Sequence, residues 1–274
     1  MFKHLTNLTV LYACSLLTGQ AAAGEIFSDD FEGTRLSPKW ETNAKDSTRG
    51  GFETRGRYVH SGKQSFRLTS ISNNDHASGS NLRFFFLPGK DNCYFRWYAM
   101  FAPDFNQGNL MHWCVLSASR IDDQWSAFGK AGIRPDGTNF AVTNLEPANN
   151  WGRRPLPGGM GFYSYFPEMK ISGDSLHYYG NRFEPEPPCL VERGRWYCFE
   201  VLVKLNEPGH HDGEQAFWID GKEIYRQTGI RWRDSEVLKL NSLTLDVYIH
   251  HANQDNTCWF DDVVISTEYI GPLK

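Results

Sequence analysis

What most constrains this chain is the rhythm of its apolar residues, which stand in short runs or alternate one by one between clusters of Gly, Pro, Asn and Asp. No window sustains apolar residues at i, i+3, i+4 and i+7 over three turns, so amphipathic helices are excluded as the main building element. Short runs of this kind predict strands of an all-β sandwich or barrel. They fall at 65–70, 81–87, 93–101, 111–117, 131–134, 139–142, 161–166, 196–205, 215–220, 222–226, 242–250 and 257–267. Asp220-Gly221, set between Ala216-Phe217-Trp218-Ile219 and Lys222-Glu223-Ile224-Tyr225, predicts a two-residue hairpin turn, because Gly accepts the positive φ such turns require. The stretches 73–80, 124–130, 145–160 and 205–214 read as loops, and no linker or repeat divides the chain.

Alternation also says where chemistry can sit, since neighbouring side chains of a strand point to opposite faces. Phe199, Val201, Val203 and Leu205 share one face and Glu200, Leu202 and Lys204 the other. Leu243, Leu245, Val247 and Ile249 oppose Thr244, Asp246, Tyr248 and His250, while His112 opposes Met111, Trp113 and Val115, and Tyr163 and Tyr165 oppose Phe162 and Phe166. Antiparallel sheets often wet one face. A wet face rich in Tyr and His also suits a sugar chain, because aromatic rings stack on pyranose faces while polar groups bond the hydroxyls.

The N-terminus has the form of an export signal. Lys3 and His4 precede an apolar stretch from Leu5 to Leu17, and Ala21-Ala22-Ala23 supplies the small residues of a cleavage site before Gly24. The expectation is a leader at 1–23 and one domain at 24–274, secreted or periplasmic. Leu11-Tyr12-Ala13-Cys14 offers a lipid-anchored alternative. Losing the leader removes Lys3 and no acid, so the net charge of −4 becomes −5. Such a charge argues against nucleic acid and anionic membranes as partners, and no second apolar run approaches spanning length. The chain is expected to act as a monomer. Of six cysteines, Cys14 lies in the leader, leaving Cys93, Cys114, Cys189, Cys198 and Cys258. Export permits disulfides, and Cys189 with Cys198 is a conceivable pair.

The two ends, Phe27-Ser28-Asp29-Asp30-Phe31-Glu32-Gly33 and Trp259-Phe260-Asp261-Asp262-Val263-Val264-Ile265, resemble those of concanavalin A-like jelly rolls, in which first and last strands lie side by side. Gly194-Arg195-Trp196, Glu200, Lys204-Leu205-Asn206, Phe217-Trp218-Ile219-Asp220-Gly221-Lys222 and the tail Glu268-Tyr269-Ile270-Gly271-Pro272 resemble the polysaccharide lyase-like branch, the glucuronan and alginate lyase relatives. The resemblance implies a β-sandwich of two antiparallel sheets, a carbohydrate partner and a structural Ca2+ held by Glu32 and Asp261, with carbonyl oxygens near His60 to Lys63. It further implies β-elimination on a uronate-containing glycan. That reaction needs a cation or amide to neutralise the C6 carboxylate, a base for the C5 proton and an acid for the leaving O4. His112 is the candidate base, Tyr163 or Tyr165 the acid, and Lys204 or Asn181 the carboxylate partner. Glu168, Tyr179, Asp246, Tyr248 and His250 complete the candidate sugar contacts. Two departures stand out. Leu110 occupies the Gln place of the Gln-x-His strand of one alginate lyase branch, and the Glu-x-Asp-x-x-Glu triplet of hydrolases with this fold is absent. A lectin-like or adhesion module on the same fold is the alternative.

Overall fold

A computed structural model describes residues 24–274; the leader expected at 1–23 lies outside them. The chain forms, in order, β1 (Glu25–Asp29), β2 (Glu41–Thr42), β3 (Gly50–Glu53), β4 (Ser65–Ser70), β5 (Ser78–Lys90), β6 (Asn92–Phe101), β7 (Met111–Arg120) and β8 (Phe140–Ala148). The second half adds β9 (Gly158–Tyr165), β10 (Asn181–Phe183), β11 (Cys189–Val191), β12 (Trp196–Lys204), β13 (Gly213–Ile219), β14 (Lys222–Ile230), β15 (Leu238–Ile249) and β16 (Asn256–Ser266). The helical content of the described residues is one 3-10 turn, Gly56–Tyr58. The strands build two antiparallel sheets. One runs β14-β13-β12-β6-β16-β4-β3 with β1 beside β16, and the other runs β10-β9-β8-β7-β15-β5-β2 with β11 beside β9.

The period-two pattern explains the stacking. Phe199, Val201 and Val203 of the first sheet face Trp113, Leu243, Leu245 and Val247 of the second, and all are buried. At the centre Trp113 meets Trp97 edge-on at 5.8 Å and Phe199 at 4.9 Å, so truncating one of these rings to Ala costs about 3–5 kcal/mol. A polar tie crosses the same core, with Thr143 and Ser164 each hydrogen-bonded to the Gln215 Oε1 at 2.8 and 3.0 Å. The first and last strands lie side by side, Phe27 opposite Ile265. Asp220 and Gly221 carry φ of 52° and 78°, the left-handed pair expected of the β13–β14 turn.

Three expectations are corrected. Residues 131–134 form turns rather than a strand. Of the loop read at 145–160, only 149–157 is loop; 145–148 end β8 and 158–160 begin β9. Pro147 misled that reading, yet β8 pairs with β7 only as far as Leu145, so the missing N–H removes no bond from that ladder. Finally, Cys189 pairs with Met160 in the second sheet whereas Cys198 belongs to the first, and both thiols are free.

The C-terminal tail packs over part of the outer face of the first sheet. Tyr269 packs on Trp218 at 5.5 Å, and the Ile270 and Gly271 N–H groups donate to the two Glu200 oxygens, each at 2.8 Å. Glu200 is thus a fastening for the tail.

Candidate carbohydrate site on the second sheet

The outer face of the second sheet carries the chemistry. Registers β15 to β7, β7 to β8 and β8 to β9 place Thr244, Val115, Asn144 and Tyr163 in one row across the sheet, with Arg83 of β5 and Arg182 of β10 at its ends. Asp246 and Glu146 lie next along the same face. A bulge between β7 and β15, where Leu245 faces Cys114 but Tyr248 faces His112, breaks the alternation of β7. Trp113 and Cys114 are therefore both buried, and Val115, expected opposite His112, shares its outer face, where His112 lies beside Tyr248. Gly161 leaves room at the floor, since a Cβ there meets Phe183 O at 2.7 Å and the Arg182 guanidinium at 3.0 Å. Arg182 uses the space to donate to Glu146 O at 3.1 Å and Gly159 O at 2.7 Å.

The centre of the site is a hydrogen-bonded chain. His112 Nδ1 lies 3.0 Å from Glu146 Oε2, and Asn144 Nδ2 donates to the same oxygen at 3.2 Å. Glu146 Oε2 accepts the Nδ1–H of neutral His112, which leaves the Nε2 lone pair facing His250 Nε2 at 3.3 Å. Burial works against a charged His112, but the charge and hydrogen bond of Glu146, with Asp246 adding, outweigh it and raise its pKa. Burial, then the neighbouring His112, brings His250 down to about 4, so His250 is neutral and can donate its Nε2–H to His112. Burial pushes Asp246 up to about 7 against the pull of His112 and Arg83, and its Oδ1 is buried without a hydrogen-bond partner. The Tyr163 phenol, 3.4 Å from that of Tyr165, is pushed up by burial and then by that contact, so it stays protonated. A groove of ≈ 660 Å³ opens above His112, Glu146, Tyr163, Tyr165 and His250, and a smaller hollow shares three of these and reaches Asp246.

The sheet therefore gathers His112, Tyr163, Tyr165, Asp246, Tyr248 and His250, and leaves Lys204, Asn181 and Glu168 outside the groove. Lys204 is exposed on the first sheet, paired across strands with Glu214 and Asn92, on the far side of the sandwich. Asn181 uses its amide on Lys170, accepting its N–H at 2.7 Å and donating to its O at 3.3 Å. Glu168 is exposed and paired with His211 at 2.9 Å and Arg231 at 3.3 Å. Tyr179 lines the groove from its rim. Sequence reasoning missed Asn144, Glu146, Arg83, Arg154 and Arg182. Asn144-Leu145-Glu146 does alternate, and that was the available signal.

Among known proteins, no family model and no curated sequence matches this chain, but solved structures do. Alginate lyase vAL-1 from Chlorella virus superposes with a TM-score of 0.63 at 16% identity, over 84% of this chain and 93% of that one. The endo-β-1,4-glucuronan lyase of the fungus Trichoderma reesei gives 0.55 at 11%, over 89% and 96%. The fold is a concanavalin A-like jelly roll. The Emp47p carbohydrate recognition domain has a similar fold too, with a TM-score of 0.50 at 10% identity over 90% and 99%. Such identities establish the architecture, not the reaction.

The calcium pair expected in this jelly roll is engaged otherwise. Glu32 Oε1 accepts the Lys63 and Gln64 N–H groups at 2.8 and 3.0 Å, and Asp261 Oδ2 accepts those of His60 and Ser61 at 3.0 and 3.2 Å. Calcium needs six to eight oxygens, whereas the 60–64 turn offers these carboxylates N–H groups. Among the described residues the ligand atoms that do converge belong to His60, Asp261 and Asp262, without Glu32. The expected pair is thus a poor fit to calcium, and the two acids hold the turn by hydrogen bonds.

Proposed function

We propose that the groove binds a uronate-containing polysaccharide and cleaves it by β-elimination. His112 Nε2 takes the C5 proton once the sugar displaces the His250 contact, with Glu146 orienting the ring and stabilising the imidazolium that forms. Tyr163 donates its phenolic proton to the departing O4 as the C4=C5 double bond forms, and Tyr165 steadies the phenolate left behind. Solvent then returns a proton to Tyr163 and accepts the one on His112. Base and acid both rise from the sheet floor with rings 5.4 Å apart, so proton loss and leaving-group protonation occur on one face of the sugar. Arg83, whose guanidinium lies over Phe128 at 4.3 Å beside Asp246, supplies the positive charge for the C6 carboxylate in place of Lys204 and Asn181. A protonated Asp246 adds a hydrogen-bond donor there.

The reading is carried by one observation, the 3.0 Å Glu146–His112 bond beneath the Tyr163 phenol at the floor of an open groove. The alginate and glucuronan lyases of the same fold support it, and the leader-like residues 1–23 support an extracytoplasmic setting where such polymers are met. The test is ultraviolet absorbance of unsaturated uronate ends during incubation with alginate, glucuronan and related polymers. The wild type is expected to produce them from at least one polymer and His112→Ala from none. Silence of the wild type on every polymer removes the eliminative reading. Binding without cleavage is the second reading, favoured by the engagement of Arg154 and Arg182 with Glu184, which ties up two of the groove's cations. It predicts retention on a polymer gel without new absorbance.

A further inference from the structure

One groove residue is held in a way that neither the fold nor the hydrogen-bonded chain explains. Trp151 is 70% exposed, the most exposed aromatic ring among the described residues, and it lines the same groove as His112 and Glu146. Its φ is +57°, directly after Asn150 at +51°. A bulky side chain in the left-handed region is a genuine outlier, and strain of that kind persists where the surroundings enforce it, typically at ligand clamps. The enforcement is visible. Asn149 Nδ2 donates to Gly108 O at 2.6 Å, and Arg154 N–H returns to Asn149 O at 2.9 Å. Beyond the turn, Arg154 is bound by both oxygens of Glu184 at 2.9 and 2.7 Å. Both ends of the turn are therefore anchored while the indole between them makes no aromatic contact among the described residues. Trp125 is the contrast: also exposed, it packs on Phe85 and Phe128 with Arg83 over its ring.

We propose that Trp151 is a stacking platform for a pyranose ring of the polymer, flanking the ring held over His112, so that binding requires a chain long enough to reach both. This rests on the carbohydrate reading of the groove but not on cleavage. An indole fixed in advance loses little freedom when a sugar settles on it, and its π-face suits the C–H face of a pyranose.

The test compares disaccharides and hexasaccharides of alginate and of glucuronan, with a neutral β-1,4-glucan hexamer as control, on the wild type, Trp151→Phe and Trp151→Gly. Trp151→Gly is expected to raise KM for the acidic hexamers roughly tenfold with kcat held. Disaccharides are expected to be affected little, and Trp151→Phe to restore most of the loss. Glycine accepts the positive φ freely, so the same variant is expected to melt about 2–4 °C higher, which separates lost contact from lost fold. An unchanged hexamer KM in Trp151→Gly, or a loss confined to kcat, overturns the platform. If the wild type cleaves nothing, fluorescence titration with the same sugars decides. Hexamer affinity that drops in Trp151→Gly sustains the platform while ending the eliminative reading, and equal affinity, or no binding of any sugar, ends the platform.

Discussion

The two outer faces of this sandwich have the same strand alternation and each holds a carboxylate with an oxygen buried from solvent, yet their environments differ. On the first sheet Glu200 is 1% exposed and spends both oxygens on the backbone of the tail that packs over part of the face. On the second, Asp246 lies in an open groove with Oδ1 unpartnered, among His112, Arg83 and their neighbours. Burial raises both carboxyls. A buried acid saturated by main-chain donors is part of the scaffold; one left unsaturated beside a cavity and other titratable groups is a place for a ligand.

The sharpest way to break this contrast is His112→Ala, expected to lower cleavage by about 10²–10⁴-fold while the melting temperature barely moves, as checked by product absorbance and calorimetry. Equal turnover would mean the titratable face is only decoration. Glu146→Gln comes next, with kcat down about tenfold. Because Glu146 is what raises His112, its removal lowers that pKa, and a base active when neutral then gains activity from a lower pH. A pH–rate profile whose acid limb stays in place contradicts the assignment.

Carboxylate-to-amide changes then test the two faces directly. Asp246 has a folded pKa raised above its unfolded value, so its contribution to stability is fully present below about pH 4 and is lost as pH rises towards 7. Asp246→Asn is therefore expected to raise the melting temperature at pH 8. Glu200→Gln sets an amide N–H against a backbone N–H and is expected to cost about 1–3 kcal/mol. Denaturation of both variants at pH 8 checks the pair, and shifts of the same sign erase the distinction. The smallest effect belongs to Lys204→Ala, expected within about 0.5 kcal/mol of wild type and with unchanged cleavage.

Lys204 also shows where sequence reasoning stops. Alternation correctly put it opposite Val201 and Val203, but the period-two pattern says which face of a strand a residue occupies and not which sheet the strand joins. Two outer faces of a sandwich read alike. Asp246, Tyr248 and His250 were legible because residues 243–250 alternate without interruption, and the Asp220-Gly221 turn because its chemistry is local. Glu146 was not, since Pro147 and the Asn149-Asn150-Trp151-Gly152 turn that follows disguise the end of a strand whose pairing partners lie far away in sequence. The bulge that puts Val115 on the same face as His112 is a property of two strands together, and neither sequence announces it.

The most direct test is nuclear magnetic resonance of the wild type titrated with glucuronan and alginate hexasaccharides. The rings of His112, Tyr163 and His250 are expected to shift, while the Ile270 and Gly271 amides held by Glu200 stay still. Shifts gathered around Glu200 and Lys204, with the imidazoles unmoved, would place the sugar on the wrong sheet and contradict the account.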